Sequence, residues 1–222
     1  IDLERLELDM ADPRITAVIE QDLADAQTLG VRKTPGFFVN GKPLPCFMYS
    51  AEGAPNLAFH RQLAQAGVHL YSGWFGLSHC GDMGHVAPDA YDYSEYDRTF
   101  AAVLATDPDA WFLPHIGMTG PLWWQRAHPE EMSLNEDGTR NPTSFASELW
   151  KRDMGGDLRK LLTHLRRSPY ADRIIGYTLF SGATAEWQMW GTWKPSRDDY
   201  GPPALRAFRA FLAARYGSDA QL

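Results

Sequence analysis

The stretch RIIGYTLFSGATAEWQMWG, residues 173–191, changes character partway along. Arg173 to Phe180 is rich in branched and aromatic side chains, the composition of a short strand. Ser181 to Ala185 is small and polar, the composition of a loop. A carboxylate, Glu186, then stands against Trp187, with Trp190 close behind. A strand that runs into such a loop delivers the charged group at the strand's C-terminal end. The fold depends on whether other strands end in the same way.

Upstream, the same rhythm repeats. AWFLPHIGM (110–118), VHLYSGWFGL (68–77) and CFMYS (46–50) read as strands. Between them lie helical segments: PNLAFHRQLAQAG (55–67), SEYDRTFAAVLATDP (94–108) and residues 144–167. PPALRAFRAFLAARYG (202–217) closes the chain, with proline at the start and Gly217 at the stop. Ser94 with Asp97 three residues on suggests a near-capping box. Gly155-Gly156 is expected to weaken the long helix. Four strand–helix units in strict alternation predict a parallel sheet with right-handed crossovers. In such sheets the functional loops follow the strands' C-terminal ends. Here the loops after strands, 78–94 and 119–143, are long, polar and aromatic, whereas those after helices are short.

The first 44 residues differ. ITAVIEQDLADAQTLG (15–30) places Ile15, Val18, Ile19, Leu23, Ala26 and Leu29 on one helical face, with Gly30 as a stop. VRKTPGFFVNGKPLP (31–45) is extended, and Asn40-Gly41 is a strong hairpin signal.

The chain has 222 residues with a formal charge of −7, eight tryptophans and two cysteines. An acidic chain argues against nucleic acid as a partner. No run of eighteen apolar residues or secretory signal pattern is visible, so no membrane span is expected and the cytoplasm is the default compartment. Cys46 and Cys80 form no CxxC motif, which leaves two free thiols as the expectation. His79, Cys80, Asp82 and His85 cluster in sequence, but their spacing fits no standard zinc site. No metal and no cofactor is expected.

Two resemblances follow from these motifs. QDLADAQTLGVRKTPGFFVNGKPL, within residues 3–44, resembles the C-terminal part of DsbA-type, thioredoxin-like oxidoreductases. The resemblance implies that Pro35 is that family's cis-proline. The family's redox cysteines are absent, so no thiol–disulfide exchange is expected. From residue 45 to 222 the chain resembles the first half of a clan A glycoside hydrolase (β/α)8 barrel. The family 42 β-galactosidase type is the nearest in pattern. The segments YDYSEYDRTF, PHIGMTGPLWW, SFASELWKR and SPYADRIIGYTLFSGATAEW carry the likeness. The fold class expected is therefore α/β: a partial TIM barrel of four βα units, preceded by a helix and hairpin of thioredoxin-like origin.

The barrel resemblance implies an acid/base at the end of strand four, which falls on Glu186. Where the clan has Asn before this Glu, the chain has Ala185. Retaining hydrolysis needs a second carboxyl about 5–5.5 Å away. In the clan that nucleophile comes from strand seven, and only four strands are present here. Glu52 and Asp82 follow strands one and two, but neither matches the nucleophile. The chain alone is expected to be inactive or very weak. A leaving-group acid must stay protonated near neutral pH, and an indole neighbour disfavours its anion. Trp74, Trp123, Trp124 and Trp187, at or past strand ends, are candidate walls for a sugar ring. His115 is a candidate hydroxyl contact. The partner expected is a carbohydrate. Alternatives are another clan A activity (β-glucosidase or agarase-like), a non-catalytic carbohydrate-binding or assembly module, and a thioredoxin-like redox remnant. Open strand edges predict self-association of a half barrel.

Overall fold

The computed structural model describes residues 12–28, 37–39, 42–44, 48–51, 56–75, 83–182, 187–190, 192 and 195–217; for 37–39, 42–44, 50 and 51 it describes the backbone only. Pro35, both cysteines, Glu52, His79, Asp82 and Glu186 lie outside them. The chain divides into two compact units, Ile1–Phe47 and Met48–Leu222.

In the first unit, helix α1 spans Pro13–Thr28. Its apolar positions have the expected helical spacing, yet Ile15, Val18, Ile19 and Leu23 are 42–59% exposed. Strands β1 (Phe37–Val39) and β2 (Lys42–Leu44) pair antiparallel, with Val39 opposite Lys42. This is the antiparallel pairing expected of the hairpin; its Asn40 and Gly41 lie outside the described residues.

The second unit follows the predicted alternation. Its elements begin with β3 (Met48–Ala51), α2 (Leu57–Gln65) and β4 (Leu70–Trp74). A hairpin follows, β5 (His85–Ala87) and β6 (Ala90–Tyr91). Next come α3 (Ser94–Thr106), β7 (Trp111–Gly117) and α4 (Leu122–Ala127). A 3-10 turn (Pro129–Glu131) leads to a small hairpin of β8 (Ser133–Leu134) and β9 (Arg140–Asn141). Helix α5 (Glu148–Arg166), a second 3-10 turn (Ala171–Arg173), β10 (Thr178–Phe180) and α6 (Pro202–Tyr216) complete it. Strands β3, β4, β7 and β10 form one parallel sheet in sequential order. Sequential parallel strands with helical crossovers are the arrangement of a partial TIM-barrel-like α/β fold. Strands β3 and β10 are its edges.

Several local expectations are corrected. The 78–94 and 119–143 segments are not plain loops, since they hold the β5–β6 hairpin, α4 and the β8–β9 hairpin. Ser94 does not cap α3 with its side chain; Asp92 Oδ1, two residues earlier, accepts the Ser94 N–H at 2.9 Å. Gly155-Gly156 does not interrupt α5. Ser147 Oγ caps that helix by accepting the Trp150 N–H at 3.0 Å. Trp150, Met154, Leu161 and Leu165 bury one stripe of it, and the glycines sit off that stripe. The fourth strand is shorter than its apolar run. Ile174 makes only an isolated bridge to Phe112 before β10 begins.

The core lies between the sheet and its helices. Phe75, Phe100 and Phe112 pack as a triad, with Phe75 stacked on Phe100 at 4.5 Å and Tyr170 on its other side at 4.4 Å. Around this core one unit recurs three times: an aspartate shared by a tyrosine and a histidine. Asp107 accepts Tyr71 OH at 2.7 Å and lies 3.0 Å from His69 Nδ1. Asp157 accepts Tyr91 OH at 2.6 Å and lies 2.8 Å from His85 Nδ1. Asp97 accepts Tyr170 OH and lies 2.7 Å from His164 Nε2. Each joins elements distant in sequence, and for the buried Asp107 and Asp157 it satisfies a carboxylate that would otherwise oppose folding. Burial, followed by the aspartate's hydrogen bond and charge, pushes the three phenols above their ordinary range.

Candidate active-site face

Alternation along the strands sends Tyr71, Phe112 and Ile116 toward the helices. Ser72, Trp74, His115 and Phe180 therefore share the opposite face. Their contacts agree: Ser72 Oγ lies 2.7 Å from His115 Nε2, and Trp74 packs edge-on against both Phe180 (4.3 Å) and His115 (5.5 Å). Register places Trp74 and Thr178 on either side of His115. The cluster thus sits at the C-terminal ends of three neighbouring strands. Of the residues expected at a site, the fold brings Trp74 and His115 together. Ser72 and Phe180 join them. The signal for Ser72 was the period-two spacing in LYSGW, where it stands two residues before Trp74.

Trp187 follows β10 by seven residues. Its N–H donates to the Ser181 carbonyl at 2.9 Å and its indole Nε1–H to the Leu179 carbonyl at 2.8 Å. Both bonds return it to the end of β10. The residue is 47% exposed, and its ring lies 5.8 Å from that of Phe145. Its φ of 58° is in the left-handed region, unusual for a bulky residue and worth about 1–3 kcal/mol of strain. Gly182 (φ 83°) permits the close return, because a Cβ there would stand 2.2 Å from the Gln188 carbonyl oxygen. Glu186, between these two fixed points in sequence, lies outside the described residues.

Trp123 and Trp124 go elsewhere. Trp124 is 2% exposed in the core, and its Nε1–H donates to Asp153 Oδ2 at 2.9 Å. Trp123 is half-buried, donates to the His85 carbonyl at 3.0 Å and meets the His85 ring edge-on at 4.6 Å. Both line a cavity between α5, α4 and the β5–β6 hairpin that includes neither Trp74 nor His115. Trp150 likewise donates to the Met118 carbonyl at 2.8 Å. The tryptophan-rich composition therefore serves partly to tie loops down.

Asp198, in the loop between β10 and α6, was not anticipated. Burial, then the neighbouring Asp199, pushes its carboxyl above the usual range. Asp199 is engaged differently, its Oδ1 accepting the Leu134 and Gly201 N–H groups at 3.0 and 2.7 Å. Among the described residues no group of three or more His, Cys, Asp or Glu side chains could hold a metal, and no helix is long and apolar enough to cross a membrane.

No protein-family model matches the sequence, and no curated protein matches it. Solved structures do. A β-galactosidase from the psychrophilic Marinomonas ef1 superposes with a TM-score of 0.58 at 14% identity, over 78% of this chain and 26% of that one. A β-galactosidase from Bacillus circulans sp. alkalophilus gives 0.57 at 14% identity, over 80% and 26%. A GH42 β-galactosidase from G. stearothermophilus gives 0.51 at 13% identity, over 78% and 25%. The chain spans about a quarter of the length of these enzymes. Its fold is glycoside hydrolase-like, a partial TIM-barrel-like α/β arrangement similar to part of the GH42 β-galactosidases.

Proposed function

We propose that the second unit is the acid/base-bearing half of a retaining, β-galactosidase-like glycoside hydrolase barrel. The observation that carries this reading is Trp187, pinned to the end of β10 in a strained conformation immediately after Glu186. Glu186 is the proton donor to the leaving oxygen in this reading. Trp74, His115 and Trp187 bind the sugar at the strand ends: the indoles cover its C–H face and the imidazole meets a hydroxyl. Trp123 and Trp124 have no such role here, since they line another cavity. The second carboxyl required for turnover belongs to a later strand of the full barrel. The first unit keeps its DsbA-like reading as a remnant without thiol chemistry.

The test is a titration of the chain with a β-galactoside, followed by tryptophan fluorescence, beside an assay with nitrophenyl β-D-galactopyranoside. Saturable binding is expected, weakened about tenfold or more in Trp187→Ala, with no appreciable turnover. Binding that Trp187→Ala leaves unchanged would remove the site. Brisk turnover abolished by Glu186→Gln would place a second catalytic carboxyl within this chain. A second reading, an assembly or binding module, is favoured by one observation: Leu205, Phe208 and Phe211 on α6 are 43–57% exposed. It predicts a concentration-dependent dimer in sedimentation.

A further inference from the structure

A groove of about 480 Å³ lies between α5 and the stretch from β6 to the start of α3, a volume within the range of small-molecule sites. It contains none of the strand-end residues and shares only Tyr91 and Lys160 with the cavity beside Trp123. One wall is α5 with its C-terminal cap, which contributes Arg159, Lys160, Thr163 and Arg167, all exposed. Arg159, Thr163 and Arg167 recur every four residues, so they follow one side of the helix for about 12 Å. The facing wall is Tyr91 and Tyr93, whose ring centres are 6.2 Å apart, and His164 of α5 stacks on Tyr93 at 4.5 Å. Basic residues in a last helical turn complement the helix dipole, which accounts for Arg166 and Arg167. It does not account for Arg159 and Lys160, about two turns earlier.

The lining carries three permanent cations and, among the described residues, no carboxylate. Such a cluster stands out on a chain of formal charge −7. Elsewhere in this unit Arg98, Lys151, Arg152 and Arg206 each meet a carboxylate. Arg159, Lys160 and Arg167 take part in no ion pair among the described residues. The carboxylates bonded to the groove's walls are already spent. Asp157 holds Tyr91 OH and His85, and Asp97 holds Tyr170 OH and His164. Lys160 is fixed in place, with Nζ 2.6 Å from Tyr91 OH and 3.9 Å from that ring's centre. Because Tyr91 OH donates to Asp157, its oxygen accepts from Lys160, and the ammonium keeps two further N–H donors. A cleft lined by one sign of charge over low-dielectric walls focuses its field on an opposite charge. Guanidinium forks pair with phosphate oxygens two at a time. The row of cations is longer than one phosphoryl group. The tyrosine rings are already stacked by His85 and His164, so the lining reads charge rather than a ring.

We propose that this groove binds the phosphate chain of a small oligophosphate, with Arg159 and Arg167 engaging its two ends and Lys160 an oxygen between them. The site is independent of the strand-end reading, and its test uses neither that ligand nor those residues. The test is a calorimetric titration of the full chain with inorganic triphosphate, beside orthophosphate at the same ionic strength. Saturable binding of triphosphate is expected, tighter than that of orthophosphate and weaker as salt rises. Arg159→Ala and Arg167→Ala should each weaken it several-fold, and the double variant about tenfold or more. Both residues are exposed, so thermal melts should be unchanged. Arg166→Ala removes the same charge from the same helix outside the groove and should bind as the intact chain does. A nucleoside triphosphate separates the two sources of such a chain: equal binding means that the phosphates alone are read, and tighter binding that a nucleotide is the ligand. Absence of saturable binding, triphosphate no tighter than orthophosphate, or an equal loss in Arg166→Ala overturns the proposal.

Discussion

On the helix side of the sheet Tyr71, Phe112 and Ile116 are each at most 1% exposed. On the other side Leu113 and His115, alternate residues of the same strand β7, are only half-buried. One strand thus serves two surfaces. The first is closed by α2, α3 and α5 and tied by the three Tyr–Asp–His units. The second is closed only locally, where Trp74 and Phe180 pack beside His115. The difference teaches that stability and the candidate site are carried by opposite faces, as is general for sheets whose strand ends hold function.

The sharpest way to break the comparison is to truncate one residue on each face. Phe112→Ala, inside the aromatic triad, is expected to cost about 3–5 kcal/mol. Leu113→Ala, one residue on, is expected to cost about 1 kcal/mol. Denaturant unfolding of both reads the contrast, and equal losses would mean that the second face is also core. Asp157→Ala comes next, at about 3 kcal/mol, because it strands Tyr91 OH and His85 Nδ1 together. Here the loss should appear as early proteolysis of the β5–β6 hairpin as well as in the midpoint.

A third effect is set by pH. Tyr71, Tyr91 and Tyr170 all hold their protons more tightly when folded. The native state then binds more protons than the unfolded state above the ordinary tyrosine value of about 10. Stability should fall as pH rises past that point, being fully retained below it. Tyr71→Phe and Tyr170→Phe should flatten this alkaline limb in thermal melts across the range. An unchanged slope would mean that the phenols are not titrating against their aspartates. The smallest effect sharpens the picture of α5. Gly156→Ala lies at an open helix position and should stabilise by about 0.5–1 kcal/mol. Destabilisation there would show that the wall of the cavity is tighter than its geometry.

Much of this architecture was legible in the residues. The alternation of VHLYSGWFGL, AWFLPHIGM and RIIGYTLF with amphipathic segments was enough for a parallel sheet, because apolar periodicity depends only on local geometry, whereas the sequential strand order was implied only by the barrel resemblance. The Gly217 stop (φ 72°) was also a local matter. What the linear pattern could not carry was partnership across long separations. Trp123 and Trp124 look like site residues by position in the chain, yet their indole N–H groups are spent on His85 and Asp153. The apolar face of α1 is equally clear in sequence, and its side chains are exposed nonetheless.

By itself, then, the sequence determined the four strands of the parallel sheet, the long helices between them, and the end of the sheet at which Trp74 and His115 belong. Tertiary structure alone decided that Ser72 meets His115, that Trp187 bends back on β10, and that Asp157 joins His85 and Tyr91 from 72 and 66 residues away. The reason is physical. Periodicity fixes the direction in which a side chain points, but the residue it meets is fixed by how whole elements pack, and that is written in no single stretch of the chain.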